Sequence, residues 1–110
     1  MIRVTVYKTR RHEYVGFDVS GHAGYAEAGS DIICAAVSAL VITTVNSIGK
    51  FTEDETGCVS DEDSGSVTFR FAEAPSHDAG LLLDSMILGL EEIEDSSEHE
   101  EYIDIIFKEV

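Results

Sequence analysis

Apolar and polar residues alternate from the first positions of the chain. Ile2, Val4 and Val6 interleave with Arg3, Thr5 and Tyr7, the period-two pattern of a half-buried strand. After a polar turn around residues 9–13, Val15, Phe17 and Val19 repeat it, so the first twenty residues predict a hairpin. A glycine-bearing loop follows: Gly21-His22-Ala23-Gly24-Tyr25-Ala26-Glu27-Ala28-Gly29-Ser30. Ser30 or Asp31 suits the N-cap of a long helix, and Gly49-Lys50 suits its end. Ile32, Ile33, Val37, Leu40, Val41, Ile42, Val45 and Ile48 leave that helix apolar nearly all round, which predicts that other elements cover it. Ala35, Ala36 and Ala39 give its first turns small side chains.

The second half repeats the scheme. Cys58 to Ser60 and Val67, Phe69, Phe71 read as a hairpin around Glu62-Asp63-Ser64-Gly65. A second helix is expected after Pro75-Ser76, with Leu82, Leu83, Met86, Ile87, Leu90 and Ile93 at helical spacing. Beyond an acidic stretch over residues 91–101, Ile103, Ile105 and Phe107 alternate as a last strand. The order β-β-α-β-β-α-β predicts an α+β fold, one small domain with a sheet packed against two helices. Exposed edge strands in so small a sheet make a dimer an expectation.

Composition narrows the partners. The 110 residues carry a formal charge of −15. Such a field opposes binding to nucleic acid, whose affinity for proteins comes largely from cationic neutralisation of phosphates, and opposes anionic membrane surfaces. It attracts basic proteins and peptides, or serves only to keep the chain soluble. The apolar run from Ile32 to Ile48 is interrupted by Ser38, Thr43, Thr44, Asn46 and Ser47, which argues for a buried helix rather than a membrane span. No charged-then-apolar signal segment opens the sequence, and two cysteines without one point to reduced thiols in the cytoplasm.

Cys34 is the main candidate for chemistry. With a cap at Ser30 or Asp31 it occupies the third or fourth helical position, where unsatisfied amides favour thiolate over thiol. The amides near residues 31–35 are then candidates to stabilise an oxyanion. The alternative is a small apolar residue in an apolar helix, since unoxidised cysteine is among the most buried residue types. His22, in the loop just upstream, has the pKa range to take a thiol proton and return it to a leaving amine. As a loop histidine it is equally a surface polar residue, and Cys/His separation has no fixed spacing. Cys58 reads as core filler. His12, His77 and His99 lie in a turn, at a helix start and in an acidic loop. No C-x-x-C or H-x-x-x-H pair supports a metal, no phosphate loop supports a nucleotide, and no cofactor is implied.

The block Gly21-His22-Ala23-Gly24-Tyr25-Ala26, followed by Asp31-Ile32-Ile33-Cys34-Ala35-Ala36-Val37-Ser38, resembles the signature of the ribosomal-processing cysteine proteases. Chain length and element order agree, so the resemblance extends over residues 1–110 as a single cysteine protease domain. It implies Cys34 as the nucleophile and His22 as general base and acid. Asp31 and Ser38 match polar positions beside that pair: Asp31 caps the helix or holds His22 in register, and Ser38, one turn after Cys34, bonds within the site or to its own backbone. The loop with Gly21, Gly24 and Gly29 is expected to be a mobile lid. The resemblance further implies a cytoplasmic homodimer that removes a short N-terminal extension from the precursor of large-subunit ribosomal protein twenty-seven, a basic substrate. Two rival readings keep the fold. One is a non-catalytic acidic module docking on a basic ribosomal protein or assembly factor; the other is a redox-sensing thiol protein.

Overall fold

The computed structural model describes residues 1–21, 28–61, 65–96 and 102–110, with the side chains of residues 28–31 outside that description. Seven elements follow in the expected order: β1 (Ile2–Lys8), β2 (Tyr14–Ser20), α1 (Ala28–Phe51), β3 (Thr56–Asp61), β4 (Ser66–Phe71), α2 (His77–Asp95) and β5 (Ile103–Glu109). The strands form one sheet in the spatial order β3-β4-β2-β1-β5. All neighbours are antiparallel except β5, which returns from α2 to lie parallel to β1.

Register builds the core. Val4 stands opposite Val19 and Val6 opposite Phe17 across β1 and β2. Phe17 in turn faces Phe69, and Val19 faces Val67. Ile2 is level with Ile103 on the parallel side. Because side chains alternate along a strand, these pairs share one face of the sheet. Phe17 and Phe69 stack with centroids 5.1 Å apart, and Phe71 meets Phe69 edge-on at 5.1 Å. The helices supply the other layer: Ile33, Val37, Val41 and Ile48 from α1, with Ala79, Leu83, Met86, Ile87 and Leu90 from α2, join the same buried cluster.

The opposite face of the sheet is polar. Arg70 lies across it, bonded to the Asp18 carboxylate at 2.9 Å and to the carbonyls of Phe17 and Phe69, with its guanidinium 4.6 Å from the Tyr7 ring centroid. The Tyr7 hydroxyl donates to the same carboxylate at 2.8 Å. Burial works against ionisation of Asp18, but the hydrogen bonds and charge of Arg70, together with the Tyr7 hydroxyl, outweigh it and hold its pKa below the usual carboxylate range.

Three expectations are corrected. Helix α1 begins at Ala28, so Ser30 and Asp31 lie inside its first turn rather than capping it, and Gly29 belongs to the helix rather than to the loop. Alanine is the strongest helix former, and Ala28 carries the helix back past the polar pair. Nor is α1 covered all round: Ile32 and Ile42 are 66% and 53% exposed. Residues 32–51 are long and apolar enough to cross a bilayer, an 18-residue stretch of them having mean hydropathy 2.0 with 28% of it buried. What docks α1 on the sheet is its buried stripe. Finally, Cys58 is exposed on edge strand β3, not in the core. It faces the helix side of the sheet, opposite Phe69, where the strand overhangs the packed layers.

Candidate active site

A cleft of about 370 Å³ opens at the end of the sheet where β1 begins, β2 ends and the β3–β4 hairpin turns. One wall is α1, which presents Cys34, Ser38 and Ile42 at intervals of one turn, with Val37 beside them. The floor is apolar, made of Ile2, Val19 and Val67. Ser60 and Asp61 from β3, with Gly65 and Ser66 from the turn into β4, form the far side. Gly21 closes the end of the cleft at the exit of β2.

The structure therefore brings Cys34 and Ser38 together on the face their four-residue spacing requires. Cys34 is half-buried: its sulfur is neither sealed in the core nor on the open surface. Val37 and Val41, on the neighbouring stripe, point into the core and set the angle at which Cys34 meets the cleft. Ser38 is exposed. The Asp31 backbone belongs to α1, but its side chain lies outside the described residues, as do His22 and Gly24.

The helix start found here changes the electrostatic argument. Cys34 is the seventh residue of α1, nearly two turns in. The helix-terminal field fades within the first turn, so it contributes little at that sulfur. Amides from Ile32 onward donate to carbonyls four residues back, so residues 32–35 do not supply oxyanion donors.

Gly21 is the fixed point next to His22 in the chain. Its φ is +82°, and a Cβ there would lie 2.5 Å from the Met1 carbonyl oxygen. Only glycine accepts that left-handed turn against a neighbouring backbone. Gly21, the first residue of the expected lid, is thus a specific turn packed against the start of β1; residues 22–27 of that loop lie outside the described residues.

The second cysteine behaves differently. Partial burial of its sulfur pushes the Cys58 thiol above the ordinary range, and it does not line the cleft. Among the described residues, no group of three metal-ligating side chains occurs. The apolar floor and the Ile42 end of the cleft escaped the sequence reading. For Ile42 the signal was present, since it lies at i+8 from Cys34. For Val19, Val67 and Ile2 it was not, because strand pairing alone brings them there.

A half-buried cysteine on a helix, opening into a cleft of a two-layer α+β domain, is an arrangement that suits thiol chemistry, and the relatives of this chain are cysteine proteases. Residues 1–104 match the family described as Cysteine protease Prp. A ribosomal processing cysteine protease of Bacillus subtilis is 35% identical over 98 residues, covering 86% of this chain and 88% of its own. An essential ribosomal processing protease from S. aureus, solved with a covalently linked product peptide, superposes with a TM-score of 0.88 at 30% identity, covering 98% of this chain and all of its own. The same S. aureus protease with a substrate peptide gives a TM-score of 0.89 at 28% identity over 98% of this chain. The chain belongs to the Prp family of cysteine proteases.

Proposed function

We propose that this protease removes the N-terminal extension of the precursor of large-subunit ribosomal protein twenty-seven, with Cys34 as nucleophile and His22 as general base and acid. The observation that carries the reading is the placement of Cys34, half-buried and accessible, in the wall of a cleft of about 370 Å³, beside Ser38 and with Gly21 at the end of the same cleft. The solved S. aureus relative with a covalently linked product peptide supports a covalent route.

In this mechanism the Cys34 thiol passes its proton to the His22 imidazole as the sulfur attacks the scissile carbonyl carbon. The tetrahedral intermediate collapses, the C–N bond breaks, and His22 protonates the departing amine. Water then attacks the thioester carbonyl and gives a proton to His22, which returns it to the sulfur as the acid product leaves. In this reading Ser38, one turn after Cys34 on the same face, hydrogen-bonds within the site, and Asp31 holds His22 in register. The enzyme acts in the cytoplasm as a homodimer, a reading supported by the family resemblance and by the exposed edges at β3 and β5. The charge of −15 favours encounter with a basic ribosomal protein.

The test is incubation of the purified protein with the extended precursor and with its mature form. Cleavage at one site in the extension by the native chain, and none by Cys34→Ala or His22→Ala, is the expected outcome. Full cleavage by Cys34→Ala would overturn the mechanism, and an intact precursor with the native chain would overturn the substrate.

A further inference from the structure

The sheet ends in two outer strands, and they are finished differently. On β5, Asp104, Lys108 and Glu109 carry charge, and the outward-facing Ile105 amide donates to the Glu94 carboxylate of α2 at 2.7 Å. Charges and a side chain laid over an edge keep one sheet from adding to another. On β3, residues 56–60 read Thr-Gly-Cys-Val-Ser, with neither charge nor proline, in a chain of net charge −15. Gly57 to Ser60 are exposed, Val59 by 71%.

Register shows what that bare edge offers. The Ala72 amide donates to the Glu55 carbonyl at 2.9 Å, and pairing runs on from there as Thr56 with Phe71, Gly57 with Arg70 and Cys58 with Phe69. Bonded pairs alternate along an antiparallel ladder. Gly57 and Val59 therefore bond to β4, while Thr56, Cys58 and Ser60 turn their amides and carbonyls outward. Among the described residues, nothing takes those outward groups.

The segment is complementary to itself. Two copies laid antiparallel about a two-fold axis at Cys58 set Thr56 opposite Ser60, Gly57 opposite Val59, and Cys58 opposite Cys58. A hydroxyl meets a hydroxyl, as in the Thr–Ser pairs that stabilise sheets, and the one large side chain meets the residue with none. The outward-facing residues fall directly opposite one another, the arrangement in which each pair exchanges two backbone bonds. Like charges meet only beyond this segment, Glu55 with Asp61 of the second copy. A basic protein finds no carboxylate between residues 56 and 60 to pair with, whereas a second copy finds its own complement.

We propose that β3 of one copy pairs antiparallel with β3 of a second copy about a two-fold axis at Cys58, joining the two five-stranded sheets into one. This rests on the homodimer reading and assigns its interface. Ser60 also lines the cleft, so the second copy stands beside the wall that faces Cys34.

The experiment measures mass in solution by light scattering for the native chain, Cys58→Pro, Val59→Lys and Phe107→Pro, each checked for an unchanged far-ultraviolet circular dichroism spectrum. Proline at position 58 removes an amide that points away from β4, so the ladder within the chain stands. Proline at position 107 does the same on β5, two residues beyond Ile105. The native chain and Phe107→Pro are expected to be dimers. The dissociation constant should rise at least about a hundredfold in Cys58→Pro and about tenfold in Val59→Lys, which leaves the backbone unchanged. In Cys34→Ala, oxidised glutathione should join two copies through Cys58, because the Cα atoms of such a bonded pair lie about 5.5 Å apart, within disulfide reach.

A dimer that survives both β3 variants, or that only Phe107→Pro dissociates, would overturn the β3 interface and leave the homodimer standing. A dimer that forms no Cys58 link would overturn the register. A native chain that stays monomeric would instead overturn the homodimer reading beneath the proposal. If the precursor peptide then slowed amide exchange at Cys58, the edge would belong to the substrate.

Discussion

The two helices of this protein differ in how completely each is committed to the fold. Helix α2 is tied at its start: Ser76 caps it by accepting from the Ala79 amide at 3.2 Å, and the Asp54 carboxylate accepts from the Ser76 amide at 2.7 Å. Ala79, Leu83, Met86, Ile87 and Leu90 are buried on one stripe, and Asp84 on its flank accepts from the Tyr14 hydroxyl of β2. Helix α1 buries a comparable stripe but leaves Cys34 half-buried and Ser38 and Ile42 exposed along a second one, which faces a cleft. Helix α2 contributes no residue to the lining of that cleft. The other divides its surface between core and cleft, and the side chains that face the cleft are ones that contribute little to packing.

That contrast sets what substitutions should do. Cys34→Ala is expected to abolish cleavage of the extended precursor, a fall of at least about a thousandfold, while leaving the melting temperature nearly unchanged, since a half-buried sulfur contributes little to the core. In the same variant, alkylation with iodoacetamide should report only Cys58 and should rise only at pH above the range of an ordinary thiol, because its pKa is pushed up by burial. Rapid labelling at neutral pH in Cys34→Ala would contradict this.

Leu90→Ala on α2 should act the opposite way. Its side chain is fully buried, so the variant is expected to lose about 2–5 kcal/mol in denaturant unfolding, with activity falling only as the folded fraction falls. Gly21→Ala bridges the two regions. The left-handed conformation alone predicts a loss of about 1–2 kcal/mol, and the contact with the Met1 carbonyl forces the chain to shift beside His22, so kcat should fall by more than the stability loss explains. Equal activity per folded molecule would show that the turn is only structural.

Smaller effects come from the polar supports. Ser76→Ala should cost about 1 kcal/mol of stability by loss of the α2 cap, with kcat unchanged. Asp18 has a folded pKa held below its unfolded value, so the stability it contributes is present above the ordinary carboxylate range near 4 and is lost as pH falls through the depressed folded value. The stability difference between the native chain and Arg70→Met, measured by urea unfolding, should therefore shrink as pH is lowered from 7 towards 3.

The element order was legible because each segment announces its own period: two for Ile2-Val4-Val6 and Val15-Phe17-Val19, 3.6 for the α2 stripe from Leu83 to Leu90. The site was legible in part. Cys34 and Ser38 share a face by helical spacing alone, and the histidine–cysteine block carried the family resemblance. The start of α1 was not, since Ser30 and Asp31 have the chemistry of a cap while the residues before them also accept helix geometry. That difference of three or four residues moved Cys34 away from the helix terminus and removed residues 32–35 as oxyanion donors.

Local patterning by itself thus determined which segments are strands and helices, and that a thiol and a serine lie on one helical face, because both follow from backbone periods within a few residues. Only tertiary structure decided that β5 runs parallel to β1, that Cys58 sits on an overhanging edge rather than in the core, and that Ile2, Val19 and Val67 form the floor beneath Cys34. Those outcomes depend on which strands pair and in what register, and pairing between residues some fifty positions apart is set by how the whole apolar surface is buried, not by any segment alone.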